Sequence, residues 1–414
     1  MYSNYLLALC VLLLTACSNE QNIPATAIAI DKNLSQQLLA NHLAINLDSS
    51  GQLANEDLAA FAKKIEHVRI LALGEQTHGA ASVFSLKTAL IKYLHQHHGF
   101  DFFILESGMY DVREIMQQAK DGQSIKAIAP GNIFYMYANS KEVTPLFDYV
   151  NDQLNTENPL TMVGFDSQHT GGLSLAGLVT DLTKAQRAID NAWVNSPNWQ
   201  VFAKQLQQVL AGSDVRFPIE QEQLFFSQLD TLATNFKQHN SLANNGFWYR
   251  ITKGLVAQAK RQWQLVDNRS QQMGENIKWW AEQYPDKKII VWAHTWHLTK
   301  AGNKQVNAGK VVSDAFGDAY YMVHFSGEQG QYLSYIDLKN KALAKPKKNS
   351  VERLFKQTTT SAINYIENKG LPLQGSELEA FANDYQQTLT ANEWSTYWDG
   401  MFILKEITPV TYQQ

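Results

Sequence analysis

Residues 68–79 read V-R-I-L-A-L-G-E-Q-T-H-G, and this stretch decides the fold. Val68 to Leu73 is a short β-branched and leucine run that breaks at Gly74. A short apolar run bounded by glycine suits a strand buried on both faces. Ala80 to His98 follows, with Phe84, Leu86, Leu90, Ile91 and Leu94 at helical spacing. Two more apolar runs come next: Phe102 to Leu105 before Glu106, and Leu160 to Phe165 before Asp166. Short buried strands alternating with helices predict βαβ units, hence an α/β fold with a mostly parallel β-sheet core.

From about Leu173 to Tyr284 no strand signal is seen. Amphipathic stretches dominate, at Trp199–Leu210, Gln221–His239 and Phe247–Tyr284. This reads as a large helical lobe inserted into the sheet. Strand-like runs resume at Ile289–Ala293, Tyr320–Phe325, Tyr332–Ile336 and Met401–Leu404. The expected organisation is a first half of the core over 38–172, the lobe over 173–285 and a second half over 286–414.

Composition narrows the function class. The 414 residues carry 35 Lys+Arg against 39 Asp+Glu, with 45% apolar residues. Such a chain buries a core and offers no basic face to a nucleic acid. The basic run Lys339, Lys341, Lys345, Lys347, Lys348 surrounds Pro346 and reads as a solvated loop. No G-x-x-x-x-G-K loop and no dinucleotide fingerprint occurs, so no cofactor is expected.

Residues Leu6 to Leu14 are apolar and far too few to span a membrane. They end in Leu14-Thr15-Ala16-Cys17, which resembles the lipobox of bacterial lipoproteins. That resemblance implies a signal peptide over 1–16, acylation of Cys17 and a tether over 17–37. It places the protein in the bacterial envelope as a lipid-anchored protein, with Ser18 favouring the outer membrane facing the periplasm. The leader departs from the pattern in having no Lys or Arg before the apolar run. The other cysteine, Cys10, lies in the removed segment. The mature chain would then have no thiol for a nucleophile or a zinc ligand.

Ligands of open α/β sheets sit beyond the carboxyl ends of the strands. The predicted strands end in Glu75 and His78, in Glu106, in Asp166, and in His294 with His297. Parallel strands would gather these six ionisable groups at one rim. The set contains no Ser or Cys and suits general acid/base hydrolysis. Glu75 and His78 are three apart, so a turn brings them together, and the carboxylate would fix the imidazole tautomer.

The stretch LALGEQTHGAASVFSLKTALIKYL, followed by FDFFILE, resembles the erythromycin esterase family. Four further blocks come in the expected order: Val163–Gln168, Arg269–Asn276, Val291–His297 and Trp398–Phe402. The resemblance runs from about Leu53 to the C-terminus. It implies hydrolysis of a small-molecule ester or lactone by histidine-activated water, and in its sharpest form macrolide inactivation. Carried over, His78 would be the general base, Glu75 its partner, and Glu106 would orient water or substrate. His294 and His297 would polarise or protonate the ester oxygens. Arg269 would offer positive charge to the oxyanion, with Lys87 and Asp166 on the substrate side. Lys87, Ser270 and Thr295 depart from the residues common in the family, Arg, an acid and Asn respectively.

Three rivals remain. A metal hydrolase could use His78, His294, His297 and a glutamate as ligands. A serine hydrolase could use Gly172-Leu173-Ser174-Leu175-Ala176 as an elbow, but the strand ends eight residues earlier, at Asp166. Ser174 reads instead as a helix cap. A non-enzymatic, lipid-anchored binding protein could use Trp263, Trp279, Trp280 and Phe247 to line an apolar pocket.

Overall fold

The computed structural model describes residues 32–46, 53–214, 216–240, 244–301 and 306–412. Cys10, Cys17 and the leader lie outside these residues. Part of the expected tether does not. Residues Lys32–Asn41 form a helix that buries Leu34 and Leu38 against the core, so folded chain begins before residue 38.

The strands are β1 (Leu43–Ile45), β2 (Ile70–Glu75), β3 (Phe102–Gly108), β4 (Thr161–Asp166), β5 (Ile289–His294) and β6 (Tyr320–Gly327). There follow β7 (Gln331–Leu333), β8 (Asn340–Ala342), β9 (Ile363–Glu367), β10 (Glu379–Asn383), β11 (Gln387–Thr390) and β12 (Gly400–Leu404). Eight of them form one sheet in the order β1-β9-β12-β6-β2-β5-β3-β4. From β12 to β4 neighbouring strands are parallel, and β9 runs antiparallel to both of its neighbours.

β2 lies between β6 and β5, and all six of its residues are buried. Leu71 and Leu73 pack with Leu90 and Ile91 of the helix Ala81–His98 on one face. Ile70 and Ala72 pack with Met273 and Ile277 of the helix Arg269–Gln283 on the other. A strand covered on both sides has no polar face, which explains its unbroken apolar run.

The chain leaves β4 for a run of helices and returns at β5. The stretch Phe247–Tyr284 is two helices, Asn245–Gln262 and Arg269–Gln283, with a break at 263–268. Trp263 and Phe247 are buried in the lobe's own core with Phe202, Phe225 and Leu255, so they are packing residues. The strand expected over Tyr332–Ile336 stops at Leu333, and residues 335–337 turn. The pairs β7/β8 and β10/β11 are separate two-stranded antiparallel sheets.

Candidate active site

Glu75 is the last residue of β2 and lies level with His294 at the end of β5. Two glycines make the following turn possible. A Cβ on Gly74 would sit 2.9 Å from the Thr295 backbone, and one on Gly79 would sit 1.6 Å from the Leu333 carbonyl oxygen. The turn can therefore lie directly against β7.

The Glu75 side chain is fully buried. Its Oε1 accepts from the Tyr137 hydroxyl at 2.6 Å and the Trp292 indole at 3.3 Å, and lies 3.2 Å from His78 Nδ1. Its Oε2 accepts from the Lys87 ammonium, which also donates to the Leu73 carbonyl at 2.7 Å. Burial alone would raise the Glu75 carboxyl, but Lys87 and His78 outweigh it and hold it well below the usual range. The carboxylate is ionised and can only accept, so Nδ1 of His78 is the donor to it, and in the neutral imidazole the lone pair then falls to Nε2.

Lys87 is thus not a substrate contact. Its side chain is wholly buried beneath Glu75, over the rings of Trp292 and Phe325. Burial lowers its pKa to about 8, against the pull of Glu75. It acts on His78 only through the carboxylate.

A β-bulge between Leu105 and Gly108 turns the end of β3. Glu106 Oε2 accepts from the His294 main-chain N–H at 2.8 Å. Its Oε1 lies 3.5 Å from Arg269 Nη2 and 3.4 Å from His297 Nε2. Arg269 grips Asp166 with two bonds, Nε to Oδ1 at 3.0 Å and Nη2 to Oδ2 at 2.6 Å. Burial would raise Asp166, but Arg269 holds it low, so the pair stays charged.

The two strand-end imidazoles are neutral. Burial, with Arg269 nearby, pulls His297 down to about 3. Burial, with His78 nearby, does the same for His294. His297 sits between Ser270 Oγ at 2.9 Å on Nδ1 and Arg269 at 3.4 Å on Nε2. His294 donates from Nε2 to the Gln76 carbonyl at 2.8 Å, and its Nδ1 accepts the Trp296 main-chain N–H at 3.2 Å. Both nitrogens of His294 are taken by backbone, so in this arrangement it fixes the Gln76 turn and has no proton to lend to an ester oxygen.

A cleft of about 740 Å³ opens over these strand ends, lined by His78, Glu106, Asp166, Arg269, His294 and His297. Phe134, Tyr135, Trp296 and Tyr335 add aromatic walls, and Arg261 reaches in from the lobe. The end of β10 adds Asn383, and the turn after it adds Asp384. Asp384 and Tyr385 both have left-handed backbone, φ 48° and 52°. Their N–H groups clamp the Gln76 carbonyl and side-chain oxygen, each at 3.1 Å. Sequence reasoning missed Tyr137, Trp292, Tyr335 and Asp384. Only Trp292 carried a signal, as a polar-tipped residue inside the β5 run.

Ser174 lies inside a helix rather than capping one. It is buried and donates to Asp111 Oδ2 at 2.6 Å, which leaves it no role as a nucleophile. The proposed metal set is also divided. Among the described residues, the atoms that come within 4.8 Å of one another belong to Glu75, His78 and Glu106, without His294 or His297.

Fold and rim together define an α/β protein with a histidine–carboxylate cluster at the strand ends. The sequence model of the erythromycin esterase family matches residues 95–399, and the chain belongs to that family. The matched span includes Glu106, Asp166, Arg269, His294 and His297, whereas Glu75 and His78 precede it. YbfO of Bacillus subtilis, a hydrolase by name, is 25% identical over 355 residues, covering 77% of this chain and 78% of its own. The fold is similar to that of a Bacillus cereus protein at TM-score 0.73 and 18% identity, covering 92% of this chain and 99% of that one. A mutant of the erythromycin esterase EreC in its open conformation gives TM-score 0.67 at 15% identity, over 88% of this chain and 98% of that one. Family and relative both point to a hydrolase.

Proposed function

We propose that this protein hydrolyses a carboxylic ester or lactone with a water activated by His78. One observation carries this reading: His78 has Nδ1 fixed by the buried Glu75–Lys87 pair and faces the cleft. Its Nε2 takes a proton from water as the hydroxide adds to the ester carbonyl. The tetrahedral oxyanion is met by Arg269, which Asp166 and Glu106 hold at the rim. The C–O bond then breaks, and the Nε2 proton passes to the leaving oxygen. No covalent acyl-enzyme is formed. We extend the proposal to macrolide lactones as substrates, and to acylation of Cys17 as the anchor to the envelope.

The test is incubation with a macrolide lactone and with simple aryl esters, read by mass for gain of one water. His78→Ala should lower kcat by about 10²–10⁴ while the fold persists. Full activity in a folded His78→Ala protein would sink the mechanism. Conversion of aryl esters alone would keep the esterase and remove the macrolide. Labelled palmitate should enter the wild type and not Cys17→Ala.

The closeness of Glu75, His78 and Glu106 favours one second reading, a divalent ion there that activates the water. Such an ion would compete with Lys87, Tyr137 and Trp292 for Glu75. Loss of activity with a chelator, restored by metal, would select it.

A further inference from the structure

β7 and β8 pair antiparallel, with Leu333 opposite Asn340, and the chain between them loops out from Ser334 to Lys339. The base of this hairpin is tied to the cleft. Leu333 donates its N–H to the Gly79 carbonyl at 2.9 Å, and the Tyr335 ring lies 5.2 Å from that of His78. Its far end is bare. Every residue from Ile336 to Ala342 is exposed among the described residues. Two of them are large and apolar, Ile336 at 76% and Leu338 at 52% exposure.

The loop is held in one shape. The Ser334 carbonyl accepts the Leu338 N–H, and the Ser334 N–H donates to the Lys339 carbonyl, both at 2.9 Å. Asp337 Oδ1 accepts the Lys339 N–H at 3.3 Å. Leu338 has left-handed backbone, φ 53°, a conformation that glycine or asparagine takes at lower cost. A leucine kept in that conformation and left exposed brings the fold little burial in return. Charge surrounds it. Over residues 335–348 stand Lys339, Lys341, Lys345, Lys347 and Lys348, with Asp337 as the one acid. Lys341 pairs with Asp337 at 3.4 Å, and Lys347 pairs with Glu379 of β10. Lys339, Lys345 and Lys348 have no carboxylate within 4.0 Å among the described residues.

Exposed apolar side chains at the end of a hairpin, beside unpaired cations, are two demands on one partner. A nucleic acid would meet the lysines and offer Ile336 and Leu338 nothing. An apolar protein face would leave the lysines unpaired. The surface of an anionic lipid bilayer meets both, with headgroup phosphates for the cations and acyl chains just beneath for the two apolar side chains. We propose that the β7–β8 hairpin docks the protein on an anionic bilayer, with Ile336 and Leu338 entering the headgroup layer. Tyr335, the residue before the loop's apolar end, lines the cleft, so docking sets one edge of the cleft at the lipid surface. The proposal depends neither on the ester chemistry nor on acylation of Cys17.

The test places an environment-sensitive fluorophore on Ile336→Cys in the full-length chain. Cys10→Ala and Cys17→Ala make that label unique and remove the acylation site. With vesicles of mixed phosphatidylglycerol and phosphatidylcholine, the emission should shift to the blue and be quenched by spin-labelled lipid. Vesicles of phosphatidylcholine alone should leave it unchanged, and 0.5 M salt should reverse the shift. Lys339→Gln should weaken vesicle binding about fivefold. Leu338→Asn should weaken it about tenfold. The same variant should keep or raise Tm, because asparagine tolerates the left-handed backbone. A label that stays in water with the anionic vesicles would overturn the proposal. So would equal binding to both kinds of vesicle, unchanged affinity in Lys339→Gln, or a Tm loss in Leu338→Asn, which would make Leu338 a packing residue. Blue emission before any vesicle is added would assign the loop to a second copy or to another segment of this chain, and would equally overturn it.

Discussion

At the scale of single residues, the site depends on a charge no substrate can touch. Lys87 follows His78 by nine positions, and its place in the motif suggested a contact in the cleft. The structure puts it behind Glu75 because the helix Ala81–His98 packs on the face of β2 that carries Leu71 and Leu73. Sequence spacing showed that Lys87 belongs with the motif but not on which side of the carboxylate it stands. Lys87→Met would leave Glu75 as a lone buried charge and should cost about 3–5 kcal/mol. Glu75→Gln added to it removes that charge and should restore most of the lost stability. The double variant should still be inactive, because a glutamine amide can donate to Nδ1 and reverse the tautomer of His78. Denaturant melts and turnover on one ester would check both halves. A double variant as unstable as Lys87→Met would show that the pair does not act as a unit.

At the scale of elements, the strands that build the rim were legible, and the pieces that cover it were not. β2, β3, β4 and β5 are apolar runs because helices bury both faces. β1, β10 and β11 are short and partly exposed, so no period marks them. The β10–β11 turn nevertheless clamps Gln76 and brings Asp384 to the cleft, which was invisible without the tertiary fold. Tyr137 was missed for the same reason, since it sits on a one-turn helix, Tyr135–Ala138, with no periodic pattern. The glycines of the motif were legible as tight geometry, and the structure shows their reason. Gly79→Ala would drive a methyl into the Leu333 carbonyl and push β7 off the turn. The expected loss is on the order of 3 kcal/mol, with activity falling further than stability because Tyr335 on the next turn lines the cleft. A Gly79→Ala protein with unchanged melting and turnover would mean that β7 moves freely.

At the scale of the whole molecule, burial sets how stability responds to pH. Four buried imidazoles are held far down, above all by desolvation, with His169 at about 4 and His294, His297 and His324 at about 3, and burial lowers His95 as well. Below their ordinary 6.5 the unfolded chain takes up protons that the folded chain refuses. Their contribution is therefore complete above about 6.5 and is lost as pH falls toward 3–4. Buried acids act the other way in part of this window. Burial raises Asp111 to about 6 and Glu328 to about 7, with Glu352, Asp384 and Glu114 shifted upward as well. Four large imidazole shifts oppose two large carboxyl shifts, so the net effect is loss on acidification. Glu75 and Asp166 are held low by their partners and add to the loss only below about 4. Tm should thus be nearly level from pH 8 to 6.5, then fall, and steepen below pH 4. His324 lies outside the cleft, stacked on Trp398 and donating to the Phe381 carbonyl at 2.8 Å. His324→Gln should lower Tm at neutral pH and flatten the slope between pH 6.5 and 4. An unchanged slope in that variant would move the acid sensitivity from the buried imidazoles to the carboxylates.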